Sequence, residues 1–171
     1  MVEVPSTQYP LSMRLLRLLA GFMAGGAIAQ AISCITPYFL MGDPQAASMM
    51  SDLLMQYLSY YFLGGAFIVL SLSNILIKRG IFRLRAIRVP SLALITCVAV
   101  TSFLLIPRMD YLRETALQDG LPVMQSPFAN YFLMLNSLAL LLMCAQIFFS
   151  TLMAWHLSNI KSPEASTDLS Y

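Results

Sequence analysis

The chain has 171 residues, 58% of them apolar and 11% charged, less than half of the roughly 25% charge carried by an average soluble domain. That balance excludes an ordinary water-soluble globule. The formal net charge of +2 is small and gives no electrostatic basis for nucleic-acid binding by the chain as a whole.

The apolar residues gather into four runs, 15–40, 57–77, 89–106 and 131–157, in which Arg17 at the start of the first is the only Asp, Glu, Lys or Arg. Each run holds about 18–27 residues, against the roughly 20 that cross a hydrocarbon core. Backbone amides in lipid must be satisfied within a helix or a closed barrel, and these runs lack the short alternation of barrel strands. The expected architecture is therefore all-α, an integral membrane bundle of four transmembrane helices. It forms a single domain over 15–157, flanked by polar tails at 1–14 and 158–171.

The first run opens after Arg14 and at Arg17. Its sequence "LLAGFMAGGAIAQ" also resembles a secretory signal, with Ala27 and Ala29 in an A-x-A arrangement and "AISC" (31–34) as a degenerate lipobox. Retention and cleavage are both open at this point. If retained, Gly21, Gly25, Ala29 and Ser33 recur every fourth residue, the small-xxx-small spacing that lets two backbones approach closely, in this chain or in a second copy. Gln30 is the polar residue at depth. Pro37 is expected to bend or end the helix, since it removes one helical hydrogen bond.

The second run has Asn74 at its inner end and leads into "KRGIFRLRAIR" (78–88), which carries five bases and no acid. With Arg14, Arg17 and Lys161 this puts eight bases on one side, against Arg108 and Arg113 on the other. Lys and Arg are retained on the cytoplasmic side, so both termini and this loop are expected in the cytoplasm, in a bacterial inner membrane. The loop reads as a topology signal or as a contact for anionic lipid.

The third run carries Thr96 and Thr101 and is expected to close at Pro107. Beyond it, "LIPRMDYLRETAL" (105–117) clusters Arg108, Asp110, Arg113 and Glu114. A helix over 109–118 would place Asp110, Arg113 and Glu114 on one face and Met109, Leu112 and Ala116 on another. That pattern suits a short amphipathic helix lying across the mouth of the bundle, either as a plain cap or as a recognition surface. The fourth run carries Asn136 and Gln146. By residue count Gln146 falls near the same depth as Gln30, so a hydrogen bond between the first and fourth helices is expected. Trp155 belongs to the interfacial aromatic belt, with His156 beside it.

Ionisable side chains inside a membrane usually mark proton relays or ion paths, and the runs place none at depth. A single histidine supplies no zinc or haem ligand set. Cys34, Cys97 and Cys144 lie in three different runs and read as small hydrophobes. Met41, Met49, Met50 and Met55 invite a copper reading through soft thioethers, although methionine is also common apolar filler. No phosphate loop, nucleophile elbow or acid–base constellation is present. No catalytic residue, metal or cofactor is expected.

The Pro-containing "TPYFL" (36–40), the stretch "IPRMDYLR" (106–113) and the charged connection after it resemble the small four-span membrane proteins related to transmembrane protein 205, mostly bacterial members of a domain family of unknown function. The likeness extends in layout over about 15–155. It carries over Pro37 and Phe39 from the first motif, and Pro107 and Arg113 from the second. The family's His–Ser at the start of the fourth span has no counterpart in "NYFLMLNS" (130–137). The resemblance implies a four-span fold and little about activity. The expected role is a non-catalytic accessory or assembly subunit, touching the lipid bilayer and a second copy or another membrane protein. A transporter or efflux component for a neutral or weakly polar solute is the alternative.

Overall fold

A computed structural model describes residues 8–78 and 82–159, all of them helical or in short connections. Helix α1 runs Gln8–Leu40 and α2 Pro44–Lys78. Pro37 does not end α1, which continues to Leu40. The three-residue connection carries its own start signal. Asp43 Oδ1 accepts the Gln45 amide at 2.9 Å and Pro44 occupies the first helical position, where its missing N–H is no loss. Helix α2 is thus 35 residues long, about 50 Å at 1.5 Å per residue, and overshoots the second apolar run at its beginning.

A 3-10 turn, Phe82–Ile87, leads into α3, Arg88–Val100. A π-helical turn, Thr101–Leu105, then joins α3 to α4, Ile106–Gln118, and Leu84–Gln118 forms one spanning unit. This corrects the expectation that Pro107 closes the third span ahead of a separate helix lying flat across the mouth. Proline lacks a donor and its ring collides with the carbonyl four residues back. The wider turn accommodates both, with the Ile106 N–H donating to Thr101 O, five residues back.

Helix α4 stops at Gly120, whose φ of 70° is one that side chains resist. The Gly120 N–H reaches Leu117 O at 3.0 Å and the Leu121 N–H reaches Ala116 O at 3.1 Å, the paired bonds of a Schellman stop. After a connection that buries Val123, helix α5 runs Ala129–Ser158.

The chain is an all-α four-helix bundle whose four long apolar helices could each span a membrane. The short connections make successive spans antiparallel. Each span packs on its chain neighbours and α5 returns to α1. Arg17 Nε donates to Leu157 O at 3.1 Å, tying the start of the first span to the end of the last. Three apolar clusters fill the interior. The largest, around Met23, Phe62, Leu94 and Met153, lies toward the Arg17 end. A central one joins Cys34, Met55, Ile106 and Met143, one from each span. The third packs Leu105, Met109, Leu112 and Ala116 against Phe132 and Leu135 at the opposite end.

Candidate functional site at the Arg113 end

The face of α2 that enters the core recurs every three or four residues: Ala47, Ser51, Met55, Ser59, Phe62. Asp52 shares it, so the helix geometry that buries Met55 and Phe62 also buries Asp52. Opposite, α4 presents Met109, Leu112, Arg113 and Ala116 inward. Arg113 is 3% exposed. Its Nη2 donates to an Asp52 carboxylate oxygen and to Ser48 Oγ at 2.7 Å, and its Nη1 donates to Asp110 Oδ1 at 3.0 Å. The guanidinium also lies over the Phe132 ring, 5.1 Å from its centroid. A single cation thereby joins α2, α4 and α5.

About 20 residues, one hydrocarbon thickness, counted from Lys78 along α2 end at Leu58. The same count from Arg88 along the third span ends at Arg108. Asp52 and Arg113 lie beyond both points, outside one hydrocarbon thickness on this count. Ionisable groups are therefore buried in the bundle outside the apolar runs, and they avoid the hydrocarbon centre.

Two clefts meet at Arg113. One, of about 400 Å³, is lined by Tyr38, Gln45, Ser48, Phe132 and Asn136 as well as Arg113. The other, of about 230 Å³, is lined by Asp52, Gln56, Asp110 and Glu114 with Arg113. Arg113 lines both, and Asp52 the smaller alone. The first offers hydroxyl and amide groups and the Asp43 carboxylate against an aromatic wall, which suits a polar, partly apolar guest or a partner side chain. Among the described residues no group of three or more His, Cys, Asp or Glu is placed to hold a metal.

The other residues singled out in the sequence are dispersed. Arg108 lies over Tyr111 and Tyr131, at 5.4 and 5.8 Å, and Glu114 is exposed at the rim of the smaller cleft. Gln30 and Gln146 do meet, with Gln146 Nε2 donating to Gln30 Oε1 at 2.9 Å. Asn136 stays apart from them and lines the larger cleft. Pro37 is buried, Phe39 and Pro107 face outward.

The stripe Gly21, Gly25, Ala29 is turned away from the other spans, with Ser33 half-buried. A Cβ added at Gly21 or Gly25 would meet nothing within 4 Å. The close approach of α1 to α2 uses Gly26 and Gly65 instead, where an added Cβ would stand 3.4 Å from Phe62 and 3.0 Å from Met23 Sδ. Met41, Met49 and Met50 are exposed, while Met55 belongs to the central cluster.

Sequence reasoning missed Asp52 and Ser48 because they precede the second apolar run. The Asp43–Pro44 start and the unbroken helical phase from Ala47 to Phe62 are the signals that place them. No protein-family model, curated protein or solved structure matches the chain.

Proposed function

We propose that this protein is a non-catalytic accessory or assembly subunit of a bacterial inner membrane, with both termini cytoplasmic and the Arg113 end as its working surface. The observation that carries the reading is the distribution of open space. The two clefts at Arg113 lie beyond the hydrocarbon centre, whereas at mid-depth Gln30 and Gln146 are buried and bonded to each other. A further cleft of about 380 Å³, lined by Arg17, Gly21, Thr151 and Trp155, opens at the opposite end. Such an arrangement favours docking at an end over passage through the middle, and the buried ion pair distinguishes the Arg113 end. Five carboxylates (Asp43, Asp52, Asp110, Glu114, Asp119) and two guanidiniums (Arg108, Arg113) occupy that end, so a partner with a neutral or basic face fits it. The excess of bases at the opposite end supports the orientation.

The test is photocrosslinking in the native membrane from a probe placed at Gln45 or Asn136, followed by native mass spectrometry. A stoichiometric foreign membrane protein, captured from these positions and not from the outward-facing Ile68, is the expected result. The 400 Å³ cleft with its mixed lining favours one second reading, a transporter for a neutral or weakly polar solute. Saturable uptake of such a solute by reconstituted vesicles, with no captured protein, would replace the first reading with the second.

A further inference from the structure

The middle of the bundle contains a second polar feature, built one helical turn below the central apolar cluster. Stepping from Cys34, Met55, Ile106 and Met143 one turn away from the Arg113 end gives Gln30 on α1, Ser59 on α2, Ser102 in the π-helical turn and Gln146 on α5. All four are buried. Each span thus contributes one polar side chain to a single layer. Below it lie Ala27, Phe62 and Val98 of the largest apolar cluster, so the layer is sealed by apolar residues on both sides.

Its hydrogen bonds do not close. Gln146 Nε2 donates to Gln30 Oε1 at 2.9 Å, and the Ser59 hydroxyl hydrogen is spent on Met55 O at 2.6 Å. Gln30 Nε2 and Ser102 Oγ have no hydrogen-bond partner among the described residues, although Gln30 is 1% and Ser102 3% exposed. One bond between two primary amides always leaves an NH₂ over, whichever glutamine donates. An orphaned amide or hydroxyl in hydrocarbon is strongly disfavoured, and in native proteins such groups are satisfied by buried water or an ion.

The unspent groups suit water. Gln30 offers N–H donors, Gln146 its Oε1 and a second N–H, Ser102 one donor and its lone pairs, and Ser59 only lone pairs. Water accepts from Gln30 Nε2 and donates to the Ser59 and Ser102 oxygens, which gives it the two to four polar partners that a buried water requires. We propose that this layer is a binding site for a water molecule, held between all four spans. Ser102 lies within the π-helical turn.

The test is hydroxyl-radical footprinting of the intact protein in lipid nanodiscs made up in H₂¹⁸O. Radicals generated from a resident water attack the sulfur atoms beside it. Met55, Met143 and Cys34 border the layer, whereas Met23 and Met153 lie in the apolar cluster beyond it. Oxygen uptake several-fold faster at the bordering sulfurs than at Met23 and Met153 is expected, with loss of the difference in Ser102→Val or Gln30→Met. Equal rates at both sets in the unaltered protein would overturn the proposal, and so would an undiminished difference in a folded variant. If neither variant folds, the ratio in the unaltered protein decides alone.

Discussion

Arg113→Met separates a structural clamp from a surface ornament. Methionine keeps an unbranched aliphatic stem and removes the guanidinium. That leaves Asp52 buried without its cation, Ser48 without its donor and Phe132 without its stacked partner. Breaking a buried ion pair from one side destabilises a protein by about 3–5 kcal/mol. Asp52 borders the smaller cleft and can be partly rehydrated there, which sets the expected loss near the lower bound, about 3 kcal/mol. Arg113→Met with Asp52→Leu removes both charges, and apolar replacement of a whole buried pair is often neutral, so that loss should fall to about 1 kcal/mol or less. The double variant should therefore be about 2 kcal/mol more stable than the single one. Glu114→Gln, at an exposed neighbour, is the control and should stay within about 0.5 kcal/mol of the parent. Denaturant unfolding of the purified protein in a mild detergent, followed by helical circular dichroism, reads all four. A single variant that loses under about 1 kcal/mol, or a double variant as unstable as the single, would refute the reasoning.

Gly120→Ala should lose about 1 kcal/mol in the same unfolding assay through backbone strain alone, because a Cβ there meets nothing within 4 Å; an unchanged midpoint would mean that the helix stop has another conformation. Gly65→Leu should overpack against Met23 and lose about 1–3 kcal/mol, whereas Gly25→Leu should leave bundle stability within about 0.5 kcal/mol; the reverse order would reassign the close helix contact to the exposed stripe. Replacing Gln30 and Gln146 together by Leu should lower stability by about 0.6–1.7 kcal/mol, the range of interhelical hydrogen bonds in membranes, read as a fall in the thermal midpoint; no fall would show that the pair is not a tie.

The four spans were legible because each carries a long apolar run, and that signal survives without knowledge of packing. Their ends were less so. An apolar run stops at the first polar residue, whereas a helix stops where its backbone bonds can no longer continue. Hence α2 begins at Pro44, and the third span passes Pro107 to end at Gly120. The meeting of Gln30 with Gln146 followed from depth alone. The burial of Arg113 did not, since its partners Ser48 and Asp52 are more than 60 residues away in sequence and outside the second run. The orientation of α1 was illegible for another reason. A helix in lipid is apolar all round, so hydrophobicity no longer marks the inner face. The spacing of Gly21, Gly25 and Ala29 repeats every four residues, but so do Leu16 and Ala20, Met23 and Ala27, and Gln30 and Cys34, which are the residues that face the core.

The π-helical turn at Thr101–Leu105 also sets a phase. Before it the third span aims Leu84, Ile87, Leu94 and Val98 inward, and after it Met109, Leu112, Arg113 and Ala116. Winding the turn into plain α geometry with the same residues would rotate everything beyond it by about 100°, one residue's share of a turn, and carry Arg113 off Asp52. Deleting one residue within 101–105 would restore α geometry and leave both halves aimed as they are. The spare residue is stored midway along a spanning helix, where a single-codon deletion need not disturb the alignment on either side.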